Sequence, residues 1–194
     1  GRMAEDITWD AIIVGGGIVG AATFFKLQSR FPQKRLLLIE KEPVLSDHQT
    51  GHNSGVIHSG IYYKPGSYKA KNCVEGRREL VAFAKQHGIA HDVCGKLIVA
   101  MEPDELPRLD KIHERGLANG IEDMERIGPE RIKEIEPFCT GIAGIRIGCT
   151  GIIDFRGATN KMAELACGIN PASAVHTGEE VRTSVERGEV SIVR

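Results

Sequence analysis

The start of the chain carries two short apolar runs separated by a stretch with helical periodicity. Residues 11–14 and Leu36–Ile39 are continuous apolar runs, which are typical of strands buried on both faces of a parallel sheet. From Ile18 to Phe25 apolar residues recur at i, i+3, i+4 and i+7, the spacing of one helix face. The pattern therefore predicts a strand, a helix and a second strand within about 30 residues, the size of a βαβ unit.

Glycine and proline divide the rest of the chain into shorter segments. Residues 43–66 are loop-like, and a loop this long inside a compact domain is usually functional. Helices are predicted over residues 67–87, 103–119, 129–136 and 161–166. Strands are predicted over residues 95–101, as a hairpin over 142–155, and as two strands within 180–193.

Composition places the chain among ordinary globular proteins. Its 194 residues are 41% apolar and 26% charged, with a net charge of -1, which fits one domain plus part of a second. No basic excess points to nucleic acid, and the cysteines and histidines do not have the spacing of a metal site. No apolar run has transmembrane length and no secretory signal is visible. We therefore expect a cytoplasmic protein; peripheral placement on the inner membrane face stays open.

The glycines at the first strand–helix junction have the pattern Gly15-x-Gly17-x-x-Gly20, and Glu40 ends the second strand. Gly15 suits a tight turn, Gly17 lets a pyrophosphate approach the backbone, and Gly20 allows the helix to pack closely on the strand. The helix that begins near Ile18 presents free N–H groups and its positive dipole end to that anion. Glu40 can accept hydrogen bonds from ribose hydroxyls, and its charge disfavours the 2′-phosphate of NADP.

A second glycine-rich segment, residues 50–60, follows the second predicted strand. Its backbone can run along an extended cofactor and offer N–H groups to phosphates and ring oxygens. A simple NAD-binding Rossmann domain does not need such a segment, so FAD is favoured. Two plainer interpretations stay open: the first glycines make only a tight turn, and the second segment is a flexible surface loop. The apolar Val56 and Ile57 within it favour burial.

These motifs resemble those of the FAD enzyme superfamily that includes D-amino acid oxidase and glycerol-3-phosphate dehydrogenase. The run 51–66, followed by 69–76, is similar to the L-2-hydroxyglutarate dehydrogenase family within it, and the similarity continues through 95–100 and 151–154. The resemblance implies an α/β fold, with a Rossmann-like FAD-binding domain of the D-amino acid oxidase type and the start of an α+β substrate domain. It also implies oxidation of (S)-2-hydroxyglutarate to 2-oxoglutarate by hydride transfer to FAD, with electrons passed to a quinone or oxygen.

The resemblance assigns cofactor contacts residue by residue. They are Gly15, Gly17, Ile18, Val19 and Gly20 at the pyrophosphate, Glu40 and Lys41 at the adenosine ribose, Thr50, His52, Asn53, Ser54 and Gly55 along the flavin, and Val181 beside adenine.

His58 is the candidate catalytic base, because imidazole titrates near neutral pH. The alternatives are that His58 packs against the cofactor or bonds a carbonyl, and that the base lies elsewhere in a longer protein. A diacid substrate needs cationic partners. The candidates are Lys64, Lys69, Lys71, Arg146 and Arg156, for which a solvated surface position is the alternative. Tyr62 and Tyr63 could line the pocket or pack in the core.

Members of the resembled family are about twice as long as this chain, consistent with a further domain. We predict a first part of the FAD-binding domain over residues 4–88, a partial substrate domain over 89–156, and a return to the FAD-binding domain over 157–194. The expected partner is a small 2-hydroxy diacid; contact with a membrane or quinone and the oligomeric state stay open. Two other functions also stay open: another FAD dehydrogenase of the superfamily, acting on glycerol 3-phosphate or an amino acid, and an inactive nucleotide-binding fragment.

Overall fold

The structure of the protein is a computed structural model that describes residues 7–47, 55–186 and 189–193. For residues 182–186 and 189–193 it describes only the backbone. Along the chain the elements are β1 (Ala11–Val14), α1 (Ile18–Arg30), β2 (Leu36–Glu40), β3 (Gly55–Ile57), α2 (Tyr68–His87), β4 (His91–Asp92), β5 (Lys96–Ala100), α3 (Leu106–Ala118), β6 (Met124–Ile127), α4 (Pro129–Ile135), β7 (Ala143–Ile147), β8 (Gly151–Ile153), α5 (Phe155–Ile169), β9 (Ala174–Thr177), β10 (Arg182–Glu186) and β11 (Glu189–Val193). A single 3₁₀ turn, Pro103–Glu105, leads into α3.

The described residues divide into two compact units. The first contains the residues before residue 54 and those from Asp154 onward, and the second contains 55–153. These bounds differ from the predicted domain boundaries near residues 88 and 156, because α2 groups with the second unit. The assignment of domains by function stays a prediction.

The first unit is built on a parallel sheet with the strand order β1-β2-β9. Ala11 pairs with Leu36, and Leu38 pairs with Val175. The βαβ unit β1–α1–β2 is therefore present as predicted, whereas β9 was not predicted. The backbone of β10 and β11 forms the antiparallel pair that was expected near the end of the chain.

The buried face of α1 is rotated by about one residue from the predicted face. Ala21, Phe24 and Gln28 are its buried residues, and the Phe24 side chain packs in a cluster with residues of β2 and α5. Phe25, which the periodicity placed on the buried face, is only partly buried. The buried amide of Gln28 donates to the carbonyl oxygen of Lys34 at 3.0 Å, so it satisfies a carbonyl of the turn that leads into β2.

The second unit contains two antiparallel sheets, with the orders β5-β7-β6 and β3-β8-β4. The hairpin predicted over residues 142–155 is wrong, because β7 and β8 belong to different sheets. In β7, Ile145 pairs with Ile98 of β5, while Ile152 of β8 pairs with Val56 of β3. The prediction of two strands here was correct, but the backbone groups of each strand form hydrogen bonds with partner strands that are distant in sequence. The strand β3 also lies within the segment predicted as a loop.

The helix boundaries follow the local capping signals. Ser67 caps α2 by accepting a hydrogen bond from the Ala70 N–H at 3.2 Å, and Gly88 ends the helix with a φ of 67°, which glycine adopts without strain. The expected helices at α3, α4 and α5 are also present. None of the helices in the described ranges has both the length and the apolar character that a membrane span needs.

Candidate functional site

The glycine loop between β1 and α1 brings the strand and the helix unusually close together. Gly15 has a φ of 107°, in the region that favours glycine, and its N–H donates to Ile39 at 2.8 Å. A Cβ built on Gly20 would lie 1.8 Å from the carbonyl oxygen of Gly15. Only glycine therefore fits at position 20 without moving α1 away from β1, which agrees with the packing role expected for it.

Gly17 faces open space at the N-terminus of α1. A Cβ at this position would meet no atom of the described residues within 4 Å. The first turn of α1 contains no acidic residue, and no side chain caps it. Its free N–H groups, which begin at Ile18, carry the positive end of the helix dipole. This arrangement suits an anion such as a pyrophosphate.

Glu40 is held against the glycine loop by its own carboxylate. The side chain is buried; Oε2 accepts the Gly16 N–H at 2.5 Å, and Oε1 accepts the Glu42 N–H at 3.1 Å. A carboxylate has about four acceptor positions, so two backbone donors leave capacity for ribose hydroxyls. The contact with Gly16 was not predicted, and it ties the orientation of Glu40 to the conformation of the loop. Lys41, the neighbouring candidate, is exposed.

The segment before Val181 runs along the end of β2. The N–H groups of Gly178 and Glu179 donate to the carbonyl oxygens of Glu42 and Glu40 at 2.7 and 3.2 Å. Val181 itself is half-buried. The sequence-based candidates at the ribose and at adenine thus lie in neighbouring segments of the first unit.

Exposed apolar side chains flank the same loop. Val14, the last residue of β1, is 62% exposed, and Val19, in the first turn of α1, is 77% exposed. Apolar side chains left exposed beside an anion-attracting loop are consistent with a surface that a ligand covers. The glycine loop, Glu40 and these two valines therefore fit the pyrophosphate, ribose and apolar parts of a dinucleotide.

Four residues that are predicted to contact the flavin lie outside the described residues: Thr50, His52, Asn53 and Ser54. Gly55 is described: it begins β3 and pairs with Ile153 of β8.

The second unit contains a cavity of about 580 Å³, which we call the His58 cavity. Three segments line it, residues 56–63, 94–96 and 150–152. They contain no Asp or Glu, and their only permanently charged side chain is Lys96. The cavity therefore combines a histidine, two tyrosines and one cation, in a volume typical of small-molecule sites.

Residues 58–63, which we call the His58 loop, are held by contacts from two helices of the second unit. Burial raises the pKa of the Cys73 thiol, so this thiol stays protonated and donates to the carbonyl oxygen of His58 at 3.5 Å. Asn119, after α3, donates through Nδ2 to the carbonyl oxygens of Gly60 and Tyr63 at 3.2 and 2.8 Å. The backbone that carries the His58 side chain is therefore fixed at several points, whereas the side chain itself is exposed.

The structure separates the candidate substrate residues into two groups. Tyr62 and Tyr63 line the His58 cavity together with His58. The candidates that do not line it are Lys64, Lys69, Lys71, Arg146 and Arg156.

Arg146 is engaged within the protein and is unsuited to hold a substrate carboxylate. Its guanidinium bonds Asp123 at 2.5 Å and Glu125 at 2.9 Å, and these hydrogen bonds raise its pKa above the usual value. Lys96, which sequence reasoning missed, is the cation that lines the cavity. No local signal marked it, because the cavity is assembled from segments that are distant in the sequence.

The fold and the glycine loop together define a dinucleotide-binding α/β protein. The chain belongs to the FAD dependent oxidoreductase family, whose model matches residues 10–194. The family's cofactor is thus the FAD expected from the sequence, and the expected α/β fold of the D-amino acid oxidase type is confirmed.

Similar proteins agree with this assignment. The chain is 47% identical over 156 residues to L-2-hydroxyglutarate dehydrogenase from Indibacter alkaliphilus, covering 80% of this chain and 39% of that protein. It is 51% identical over 164 residues to mitochondrial L-2-hydroxyglutarate dehydrogenase from Bos taurus, covering 84% and 35%. Among solved structures, FAD-bound L-alpha-glycerophosphate oxidase from Mycoplasma pneumoniae has a TM-score of 0.82 at 30% identity, covering 94% of this chain and 48% of that one. The chain thus spans well under half the length of these curated relatives.

Proposed function

We propose that the protein carrying this chain oxidises (S)-2-hydroxyglutarate to 2-oxoglutarate, with FAD as the hydride acceptor and a quinone or oxygen as the final acceptor. The observation that carries the proposal is the 47% and 51% identity, over at least four-fifths of this chain, to relatives named L-2-hydroxyglutarate dehydrogenase. The chain covers only 39% and 35% of those relatives, so the proposal concerns the whole protein.

In this proposal the first unit holds the adenosine diphosphate part of the cofactor. The open face at Gly17 and the first-turn N–H groups of α1 receive the pyrophosphate. Glu40 accepts the ribose hydroxyls with the oxygen capacity that its two backbone contacts leave free. The flavin contacts of Thr50, His52, Asn53, Ser54 and Gly55 belong to the proposal as well.

His58 is the proposed base for the substrate hydroxyl. Oxidation at C2 removes a proton from the oxygen and a hydride from the carbon, and forms a C=O double bond. When bound, FAD supplies the hydride acceptor. The His58 ring then takes the hydroxyl proton, and the contacts of Cys73 and Asn119 hold its loop in place. The described residues that line the cavity include no carboxylate, which avoids repulsion of an anionic substrate.

A second candidate substrate comes from the solved structure that shares 30% identity with this chain, an L-alpha-glycerophosphate oxidase. Glycerol 3-phosphate is also a small anionic alcohol, and in the His58 cavity it would contact Lys96 and His58. The higher identity to the dehydrogenases favours the diacid.

The proposal is tested by turnover of the FAD-loaded, full-length protein with (S)-2-hydroxyglutarate, its R enantiomer and glycerol 3-phosphate. We expect flavin bleaching under anaerobic conditions with the S diacid only. Bleaching by glycerol 3-phosphate but not by the diacid would instead support the second candidate. Replacement of His58 by Asn is expected to slow flavin reduction by about 10²- to 10⁴-fold, the usual contribution of a general base.

The location of the protein belongs to the same proposal. We retain the expectation of a cytoplasmic protein with peripheral access to a quinone pool; the Bos taurus relative is named as mitochondrial. Fractionation of cells that produce the full-length protein tests this expectation.

A further inference from the structure

We propose that Lys96 binds the distal carboxylate of a 2-hydroxy diacid in the His58 cavity and thereby sets a preference for diacids over monoacids. The inference rests on the proposed function. It identifies the residue that binds the end of the substrate farthest from the reacting carbon.

The charge of the cavity lining is the first observation. The three segments that form it, 56–63, 94–96 and 150–152, contain Lys96 as their only permanently charged side chain and no acidic residue. A bound diacid has two carboxylates. Among the described residues that line the cavity, Lys96 is the single fixed cation, and an ammonium group donates charge-assisted hydrogen bonds to carboxylate oxygens.

The backbone at Lys96 is fixed, which is the second observation. Gly95 has a φ of 84° and its N–H donates to Thr150 at 3.0 Å. Lys96 then begins β5 and pairs with Ile147 of β7. A Cβ on Gly95 would lie 3.1 Å from the Ile147 carbonyl oxygen, so the turn before Lys96 is closely packed as well as left-handed.

The ammonium group is oriented by an aromatic ring on another wall of the cavity. The Lys96 Nζ lies 5.5 Å from the ring centroid of Tyr62, within the range of a cation–π contact. Tyr62 belongs to the His58 loop, and Arg115 donates to its carbonyl oxygen at 3.3 Å. The cation is thus placed next to the loop that carries the proposed base, on the same cavity.

Among the described residues, Lys96 forms no ion pair with an acidic side chain. Arg146, in contrast, forms ion pairs with Asp123 and Glu125. A cation that has an aromatic neighbour and no carboxylate partner retains its donors for a ligand. The side chain is exposed and lines the cavity, so a small anion reaches it without displacing an internal ion pair.

The experiment compares Lys96→Gln and Lys96→Met with wild type in the FAD-loaded, full-length protein. We expect KM for (S)-2-hydroxyglutarate to rise about 10- to 150-fold, the range for one hydrogen bond to a charged group, with kcat changed far less. Oxidation of (S)-2-hydroxyvalerate, which has a methyl group in place of the distal carboxylate, should be unchanged. Lys96→Arg should keep most of the diacid preference.

Two readouts separate this inference from a structural effect. Calorimetric binding of glutarate, a diacid that cannot react, should weaken by a similar factor in Lys96→Gln, while FAD content and the unfolding midpoint stay as in wild type. Lys85→Gln is the matched control, since Lys85 is an exposed lysine of α2 that does not line the cavity, and it should behave as wild type.

The outcomes are distinguishable from those of the proposed function. If wild type oxidises (S)-2-hydroxyglutarate and Lys96→Gln retains the same preference for diacid over monoacid within about twofold, the inference is wrong and the proposed function stands. If wild type neither oxidises the diacid nor binds glutarate, both are wrong.

Discussion

Replacing Gly17 by alanine separates the structural role of the glycine loop from its role in binding. The backbone at Gly17 has φ of -79° and ψ of -177°, which alanine adopts without strain, and the added Cβ would contact no atom within 4 Å. Alanine gains by restricting the unfolded chain and loses as a helix N-cap, each by less than about 1 kcal/mol. The free energy of unfolding should therefore stay within about 1 kcal/mol of wild type.

Binding of FAD should respond very differently. The methyl group would point into the open space before α1, where the pyrophosphate has to approach the helix N–H groups. Loss of one hydrogen bond to a charged group costs about 1.5–3 kcal/mol, which corresponds to a dissociation constant roughly 10- to 150-fold higher.

The assay pairs urea unfolding with a titration of FAD, followed by the change in flavin fluorescence. Gly168→Ala is the matched control, because Gly168 lies within α5 and its Cβ would also meet nothing within 4 Å. That variant should be more stable by up to about 1 kcal/mol and bind FAD as wild type. An unchanged FAD affinity in Gly17→Ala would refute the assignment of this loop to the pyrophosphate.

Three further variants test other parts of the structure. Gly20→Ala should destabilise the protein by at least about 1–3 kcal/mol, because its Cβ would lie 1.8 Å from the Gly15 carbonyl oxygen; a wild-type midpoint in urea unfolding would contradict this. Glu122→Gln should cost about 1–3 kcal/mol, since Glu122 pairs with the buried Arg77, a figure reduced for the partly exposed carboxylate. The hydrogen bonds from Arg77 and Arg78 lower the pKa of Glu122. Its contribution is therefore present above the unfolded pKa and is lost as pH falls through the lowered folded pKa, where the stabilities of wild type and variant should converge. Asn119→Ala should reduce kcat/KM about tenfold with unchanged FAD content, because the amide holds the His58 loop, and an unchanged kcat/KM would show that the loop keeps its conformation without it.

The βαβ unit and its glycine loop were predictable because their signals are local. Each run of apolar residues, the change to helical periodicity at Ile18 and the turn at Gly15 depend on neighbouring residues only. The same holds for α2, because a single serine, Ser67, predicts where the helix begins and a single glycine, Gly88, predicts where it ends.

The errors concern pairings between distant segments. The strand β9 is short, and it becomes a strand by pairing with β2 far away in the sequence. The strands β7 and β8 are adjacent along the chain, and their side chains alternate in the pattern of a hairpin. They nevertheless pair with strands of two different sheets. Periodicity reports which face of a strand is buried but not which strand lies beside it.

The candidate site shows the same division. Gly15, Gly17 and Gly20 were located by spacing alone. The contact of Glu40 with Gly16, and the place of Lys96 in the His58 cavity, depend on three-dimensional packing. In particular, Lys96 shares its cavity with residues more than thirty positions earlier in the sequence, and a single lysine at the start of a strand carries no signal of its own.

The most direct measurement is the absorption spectrum of the purified protein after incubation with FAD and removal of unbound cofactor. We expect visible flavin bands corresponding to one FAD per chain, and loss of most of that flavin in Gly17→Ala at the same protein concentration. A colourless wild-type protein, or an equal flavin content in the two proteins, would contradict the central claim that the glycine loop and Glu40 hold the cofactor.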